Sequence, residues 1–366
     1  MSFRFSPVEN RFPDMLIFDA HLDLAWNALE WNRDLLQPVS TIREFEQQFS
    51  EAVPGDATTS VPALRDGNIG MVIATLLPRF KRPQAPRTFY QSREAAFAAM
   101  QGQLAWYRSM VELGQFSELT DLTAFNQHVE LLDDKPVGDA PIGFVLSMEG
   151  SWAIPDPSYV ERWYKMGLRI LGPAHYGPDD YGHGTGSEGG LKERGPELLR
   201  EMDRVGMLLD VTHLSDDCFW QALEIYTGPV LASHHNCRSL VPGDRQLTDK
   251  QIQALLHRDA VIGLALDSWM IRPGWIKGQT DPATVCLADA VNHIDHICQL
   301  AGNTKHCGIG SDLDGGFGKE QSPCDLETIA DLQKIGELLS DRNYSDSDIT
   351  GIMHGNWIDF FRRAWS

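Results

Sequence analysis

At 366 residues, 42% of them hydrophobic, the chain is long enough for one large α/β barrel or two ordinary domains, and no segment has the composition of a disordered one. Its 51 acidic against 31 basic side chains give a formal charge of -20, which repels phosphate backbones and anionic lipid and excludes nucleic-acid binding through a basic surface. There is no apolar run of about eighteen residues, the length of a membrane span, and no apolar core of a secretory signal near the amino terminus; the six cysteines lack CxxC spacing and read as free thiols of a reducing cytoplasm.

The first strand-like run is "MLIFDAHLD", which ends in His21 and Asp23. After "IGMVIATLLP" comes the longest helical pattern, "SREAAFAAMQGQLAWYRSMVEL". The next strands are "PIGFVLSMEG", ending in Glu149, "LRILGPAH", ending in His175, and "GMLLDVTH", ending in His213. A helix "SDDCFWQALEIY", with Ser215 and Asp216 as caps, leads to "PVLASHH" with His234 and His235. Thr248 opens the helix "TDKQIQALLHRD", which is followed by "AVIGLALDSW" and by "HCGIGSDLDG" with Asp312 and Asp314. Helical patterns at "DLETIADLQKIGELL" and "SDSDITGIMHGNWIDFFRRAW" close the chain. Short strands apolar on both faces, alternating with helices, predict a (β/α)8 TIM barrel. An open doubly wound sheet would show a Gly-rich phosphate turn where this chain has "HLDLAW". With no repeat or low-complexity linker, residues 1–366 read as a single barrel domain with the last helices packed on it. The stretches "QPVSTIREFEQQFSEAVPGDATTS" and "YGPDDYGHGTGSEGG" read as irregular loops at the carboxyl ends of strands, where barrel enzymes build their sites.

Residues two apart on a strand share a face, so His21 and Asp23 suit either a metal ion or a salt-bridged core pair. Each polar strand end has an ordinary reading alone: a hydrogen-bonded rim histidine, a solvated glutamate, an Asp-Gly turn. Together, strand ends from one register deliver imidazoles and carboxylates to a single rim. Unpaired charge there would cost on the order of several kcal/mol, a cost that a bound divalent cation removes. His293 and His296 share a helix face and read as packing or solvated residues. "GHGTGSEGG" lacks the GK[ST] ending of a phosphate loop, and Trp269 fits either barrel core or pocket wall.

From "FDAHLDLAW" to "GNWIDFF" these residues resemble the renal or membrane dipeptidases, binuclear zinc peptidases of the amidohydrolase superfamily. The likeness includes the HxD of strand one, "MEG", "RILGPAH", "GLKERGPELLREMDRVGMLLDVTHLS", "SHHNCRSL…DRQLTD" and "IGSDLDGGFG". It implies two Zn2+ ions per chain: His21 and Asp23 on one, His213 and His234 on the other, and Glu149 bridging them. It further implies that His175 polarises the substrate, that Arg245 grips a terminal carboxylate, and that Asp312 serves as acid–base beside the attacking hydroxide. The implied activity is hydrolysis of L-Xaa-L-Xaa and L-Xaa-D-Xaa dipeptides. The alternatives are another amidohydrolase reaction on a carboxylate-bearing substrate (an N-acyl amino acid or a lactone), or a metal-binding homologue without catalysis. Lack of a signal or anchor implies a cytoplasmic, bacterial-type member with no membrane or nucleic-acid partner, and the family implies a homodimer. His235 stands where a small residue is usual in the family, and "ALDSWMIRPGW" after strand seven departs from the pattern of the mammalian members.

Overall fold

The computed structural model describes residues 15–48, 55–79 and 90–366. Among the described residues nine strands form one sheet in which all pairings are parallel: β1 Ile17–Leu22, β2 Ile69–Leu76, β3 Phe116–Glu118, β4 Ile142–Glu149, β5 Ile170–Gly172, β6 Leu208–Asp210, β7 Val230–Leu231, β8 Ile262–Leu264 and β9 Cys307–Ile309. The order is β7-β6-β5-β4-β2-β1-β9-β8. A bridge between Ala232 and Ile262 joins the two ends: Ala232 N–H donates to the Val261 carbonyl (3.1 Å) and Gly263 N–H to that of Ala232 (2.8 Å). The eight expected strands thus form the expected barrel. The ninth, β3, was not foreseen. It pairs with Ile142–Phe144 of β4, a segment that the three-residue β5 does not reach, and so covers an otherwise open edge.

Helices follow the caps read from the sequence. Ser215 and Thr248 each accept a backbone N–H at the start of Asp216–Ile225 and Asp249–Leu256, and Gln251 completes a capping box with Thr248. Asp216 is the first helical residue and not a cap, and Ser92, which was not foreseen, caps Arg93–Glu112. The stretch after β1, expected to be irregular, contains the helix Val39–Glu46, while 49–54 lies outside the described residues. The final helical run is broken by a π turn, Gly351–Gly355, between Asp346–Thr350 and Asn356–Ala364. Among the described residues no helix is long and apolar enough to cross a membrane.

The barrel interior places the site. Phe18, Met71, Ile73, Val145, Ile170, Leu208 and Leu231, from β1, β2 and β4 to β7, and Val261, just before β8, pack against Trp357, Phe360 and Phe361. The Phe18 ring lies 5.6 Å from Phe361 and 6.3 Å from Trp357, whose Nε1 donates to the Ile309 carbonyl. Gly308 permits that approach, since a Cβ there would lie 2.2 Å from Trp357 Nε1. An aromatic stopper therefore fills the amino-terminal mouth, and the polar side chains collect at the other end.

Candidate metal centre

His21 reaches that end through an irregularity. Asp19 of β1 pairs with Val72 and Leu22 with Ala74, so two residues of β1 oppose one of β2. Phe18 and Ala20 point inward, and strict alternation would send His21 toward the helices; the extra residue turns it back into the barrel mouth. Asp23 lies beyond the strand, at the N-cap of the helix Leu24–Glu30. The two side chains do converge, with His21 Nε2 3.8 Å from Asp23 Oδ2, but through a bulge and a helix start rather than the period of a straight strand.

Glu149 is the last residue of β4, and His213, His234 and Asp312 stand just past β6, β7 and β9. His213 and Asp312 adopt φ of 67° and 59°, left-handed conformations that cost a non-glycine residue about 1–3 kcal/mol and cluster at functional sites. Glu149 Oε1 lies 3.1 Å from His213 Nε2 and 3.3 Å from His234 Nε2, and the two imidazole nitrogens are 3.2 Å apart. Its other oxygen, Oε2, lies 3.7 Å from His21 Nε2. Donors at about 2.0–2.2 Å from a tetrahedral ion stand roughly 3.3–3.6 Å from one another. Two such groups thus share Glu149: His21–Asp23–Glu149 and Glu149–His213–His234.

Hydrogen bonding fits cations as well. His21 Nε2, Asp23 Oδ1 and Glu149 Oε1 are buried and have no hydrogen-bond partner. The Nδ1 atoms of His213 and His234 lie 3.0 Å from Thr185 Oγ1 and 2.9 Å from Ser233 Oγ, which orients both rings with Nε2 toward the centre. Burial, then the positive field of Arg245 for His213 and of His21 for His234, holds both imidazoles well below their usual pKa, in the neutral form that binds metal. Burial pushes Glu149 up to about 8 and Asp312 well above the carboxylate range, against the opposing field of His21. For His21 burial works downward but is outweighed by Glu149, Asp23 and Asp312, which bring it to about 10. These groups hold a proton where a cation would relieve the same crowding.

Asp312 Oδ1 is 3.8 Å from His21 Nε2, and His175 Nε2 is 3.7 Å from Glu149 Oε2. Arg245 is 1% exposed; its Nη2 donates to the His234 carbonyl (3.0 Å), while Nε and Nη1 have no partner. The other candidates separate from the centre. Asp314 accepts from Thr58 and Thr59 and pairs with Arg33 (3.2 Å), anchoring the loop after β9. His235 is buried outside both ligand groups with neither ring nitrogen bonded. His293 is buried and accepts from Cys237 N–H, and His296 pairs with Asp249. Trp269 is pocket wall: it lines a cavity of about 290 Å³ with Trp26, His175, Tyr176, Asp267 and Gln321. The sequence reading missed Thr185 and Ser233 as orienting residues; only the adjacency of Ser233 to His234 offered a signal.

The family description "Membrane dipeptidase (Peptidase family M19)" matches residues 8–365. The dipeptidase aclJ of Aspergillus oryzae is 30% identical over 220 residues, 59% of this chain and 50% of that protein, so the match spans half of the relative's length. A crystal structure of a metallo peptidase from Rhodobacter sphaeroides, liganded with a phosphinate mimic of the dipeptide L-Ala-D-Ala, superposes with a TM-score of 0.77 at 21% identity, covering 96% of this chain and 100% of that one. The dipeptidase AC, a metallo peptidase of family M19, gives 0.76 at 22% identity, covering 96% and 99%. These two likenesses concern the fold, which is the one built above. The family match runs over nearly the whole chain, and the chain belongs to the membrane dipeptidase family, peptidase family M19.

Proposed function

We propose that this protein is a zinc-dependent dipeptidase that hydrolyses L-Xaa-L-Xaa and L-Xaa-D-Xaa dipeptides. The observation that carries the reading is the pair of ligand groups sharing Glu149, with a buried, half-unpartnered Arg245 beside them. His21 and Asp23 would hold one zinc, His213 and His234 the second, and Glu149 both. When bound, such ions supply Lewis acidity, which acidifies water and polarises a carbonyl.

The chain's own residues do the rest. Arg245 Nε and Nη1 grip the dipeptide's free carboxylate through charge-assisted hydrogen bonds and place the peptide carbon one residue away. His175 donates a hydrogen bond to the carbonyl oxygen as negative charge grows there. Asp312 Oδ1 takes the proton of the attacking water and delivers it to the leaving nitrogen as the C–N bond breaks. The products are two amino acids. The dipeptide mimic held by the Rhodobacter protein on the same fold is consistent with a substrate of this size.

The test is a dipeptide-library hydrolysis assay on purified protein with metal analysis; folded, zinc-loaded protein that releases no amino acid from any L-L or L-D dipeptide overturns the proposal. Arg245→Met is expected to lower kcat/KM for dipeptides about 10- to 100-fold, mainly through KM, because it removes hydrogen bonds to a charged group. Loss of that contrast when the dipeptide's carboxylate is replaced by an amide supplies the matching control.

A further inference from the structure

The turn after β8 places a carboxylate in the cavity wall. Asp267 is 7% exposed and caps the short helix Ser268–Ile271. Its oxygens accept from Trp269 Nε1 (2.6 Å), from Trp269 N–H (3.4 Å) and from Gln321 Nε2 (2.8 Å to each oxygen). All these donors are neutral, and among the described residues no cationic side chain forms an ion pair with it. Burial pushes its carboxyl up to about 7. A cap alone needs only a serine or asparagine oxygen. Arg245 acts on it from beyond ion-pair distance, but burial outweighs that field, and a buried charge so weakly countered is costly unless something completes it.

Gln321 supplies the second observation. It is also 7% exposed, its Nε2 is spent on Asp267, and its Oε1 is buried with no partner. A carboxylate served only by neutral donors, beside an orphan carbonyl oxygen, is the complement of an ammonium or guanidinium group. Trp26 and Trp269 add aromatic wall that favours a cation. Arg79, the other charged side chain lining the cavity, pairs with Glu30 (3.4 Å) and stacks over Trp26 (5.0 Å). The cavity also includes His175, so the carboxylate and the reacting centre share one space.

We propose that Asp267 and Gln321 form a subsite that selects substrates by a cationic nitrogen, either the α-ammonium of a dipeptide or a basic side chain. The inference rests on the dipeptidase reading for the identity of the substrate. Four compounds separate the sources: lysyl-alanine, norleucyl-alanine without the side-chain ammonium, 6-aminohexanoyl-alanine without the α-ammonium, and hexanoyl-alanine with neither. Wild-type enzyme is expected to favour one ammonium-bearing member over its matched counterpart about 10- to 100-fold in kcat/KM. Asp267→Asn should shrink that ratio to less than about threefold, and Asp267→Glu should restore part of it. Lysyl against norleucyl reports a side-chain cation, and lysyl against 6-aminohexanoyl reports the α-ammonium. Equal treatment of all four by the wild type overturns the proposal. So does a fall of all four together in Asp267→Asn with their ratios kept, the result of a merely structural cap. Titration calorimetry of the four compounds on the metal-loaded protein gives the same ratios as affinities. Silence toward every dipeptide would thus remove the dipeptidase reading and leave the subsite to stand or fall on binding.

Discussion

Asp312→Asn is expected to lower kcat about 100- to 10,000-fold while metal content and the barrel remain intact. Asparagine keeps the size and the hydrogen-bonding oxygen but cannot receive the proton of the attacking water. Asp312 lies within ligand distance of His21 and His234 as well, so metal content is what separates a proton-transfer role from a ligand role. Asp312 follows β9 in a left-handed conformation, Oδ1 faces His21 at 3.8 Å, and burial makes its carboxyl much more basic than an exposed one. Bound cations would favour the ionised carboxylate at this crowded rim, the form able to receive a proton from water and pass it to an amine. The check is kcat/KM on a good dipeptide alongside metal stoichiometry by atomic emission; near-wild-type turnover removes Asp312 from the proton path. If the metal is lost along with activity, the residue is a ligand instead.

The second large effect is expected at Glu149. Replacement by Gln should empty both metal positions and abolish activity, whereas His213→Ala or Asp23→Ala should weaken one position more than the other. The reason is geometric: each oxygen of Glu149 faces a different group, Oε1 toward His213 and His234 and Oε2 toward His21. A neutral amide offers neither the charge nor two equivalent acceptors. Chelation of the wild type tests the same cluster through stability. Glu149 has its folded pKa raised from 4.5 to about 8 in the metal-free cluster, so its contribution to stability is present below pH 4.5 and lost as pH rises through 8. Bound cations reverse that loss, since they favour the ionised ligand. The gap in Tm between metal-loaded and chelated protein should therefore widen from pH 5 to pH 8; a gap that narrows over this range contradicts the assignment of Glu149 as a ligand.

Much of this arrangement was legible in the chain because strand ends are marked twice, by the end of an apolar run and by a chemistry-bearing residue. Glu149, His175, His213, His234 and Asp312 each stand at such a junction, and the barrel topology brings them to one rim. What escaped depended on contacts made from far along the chain. The bulge in β1 has no signature in "IFDAHL", because apolar residues on both faces erase the period that would reveal an extra one. Only the resemblance separated the two aspartates of "SDLDGG"; the physical reason is that Arg33, Thr58 and Thr59 claim Asp314 and leave Asp312 at the centre. The helix Val39–Glu46 carries only two buried apolar residues behind Pro38, too little pattern to separate it from a loop. Asp267 stood out as a departure, but its meaning lies in Gln321, which arrives from beyond β9.

The left-handed backbone at His213 and Asp312 also bears on how this protein can be engineered. Glycine, or asparagine at lower gain, would rest more easily in both conformations, so a selection for thermal stability alone would erode them first. Variants raised for heat resistance without a turnover screen are expected to collect changes at these two positions. Asp259 and Asp314 share the same left-handed backbone without a place at the metal centre, so such changes are informative only where turnover falls as stability rises.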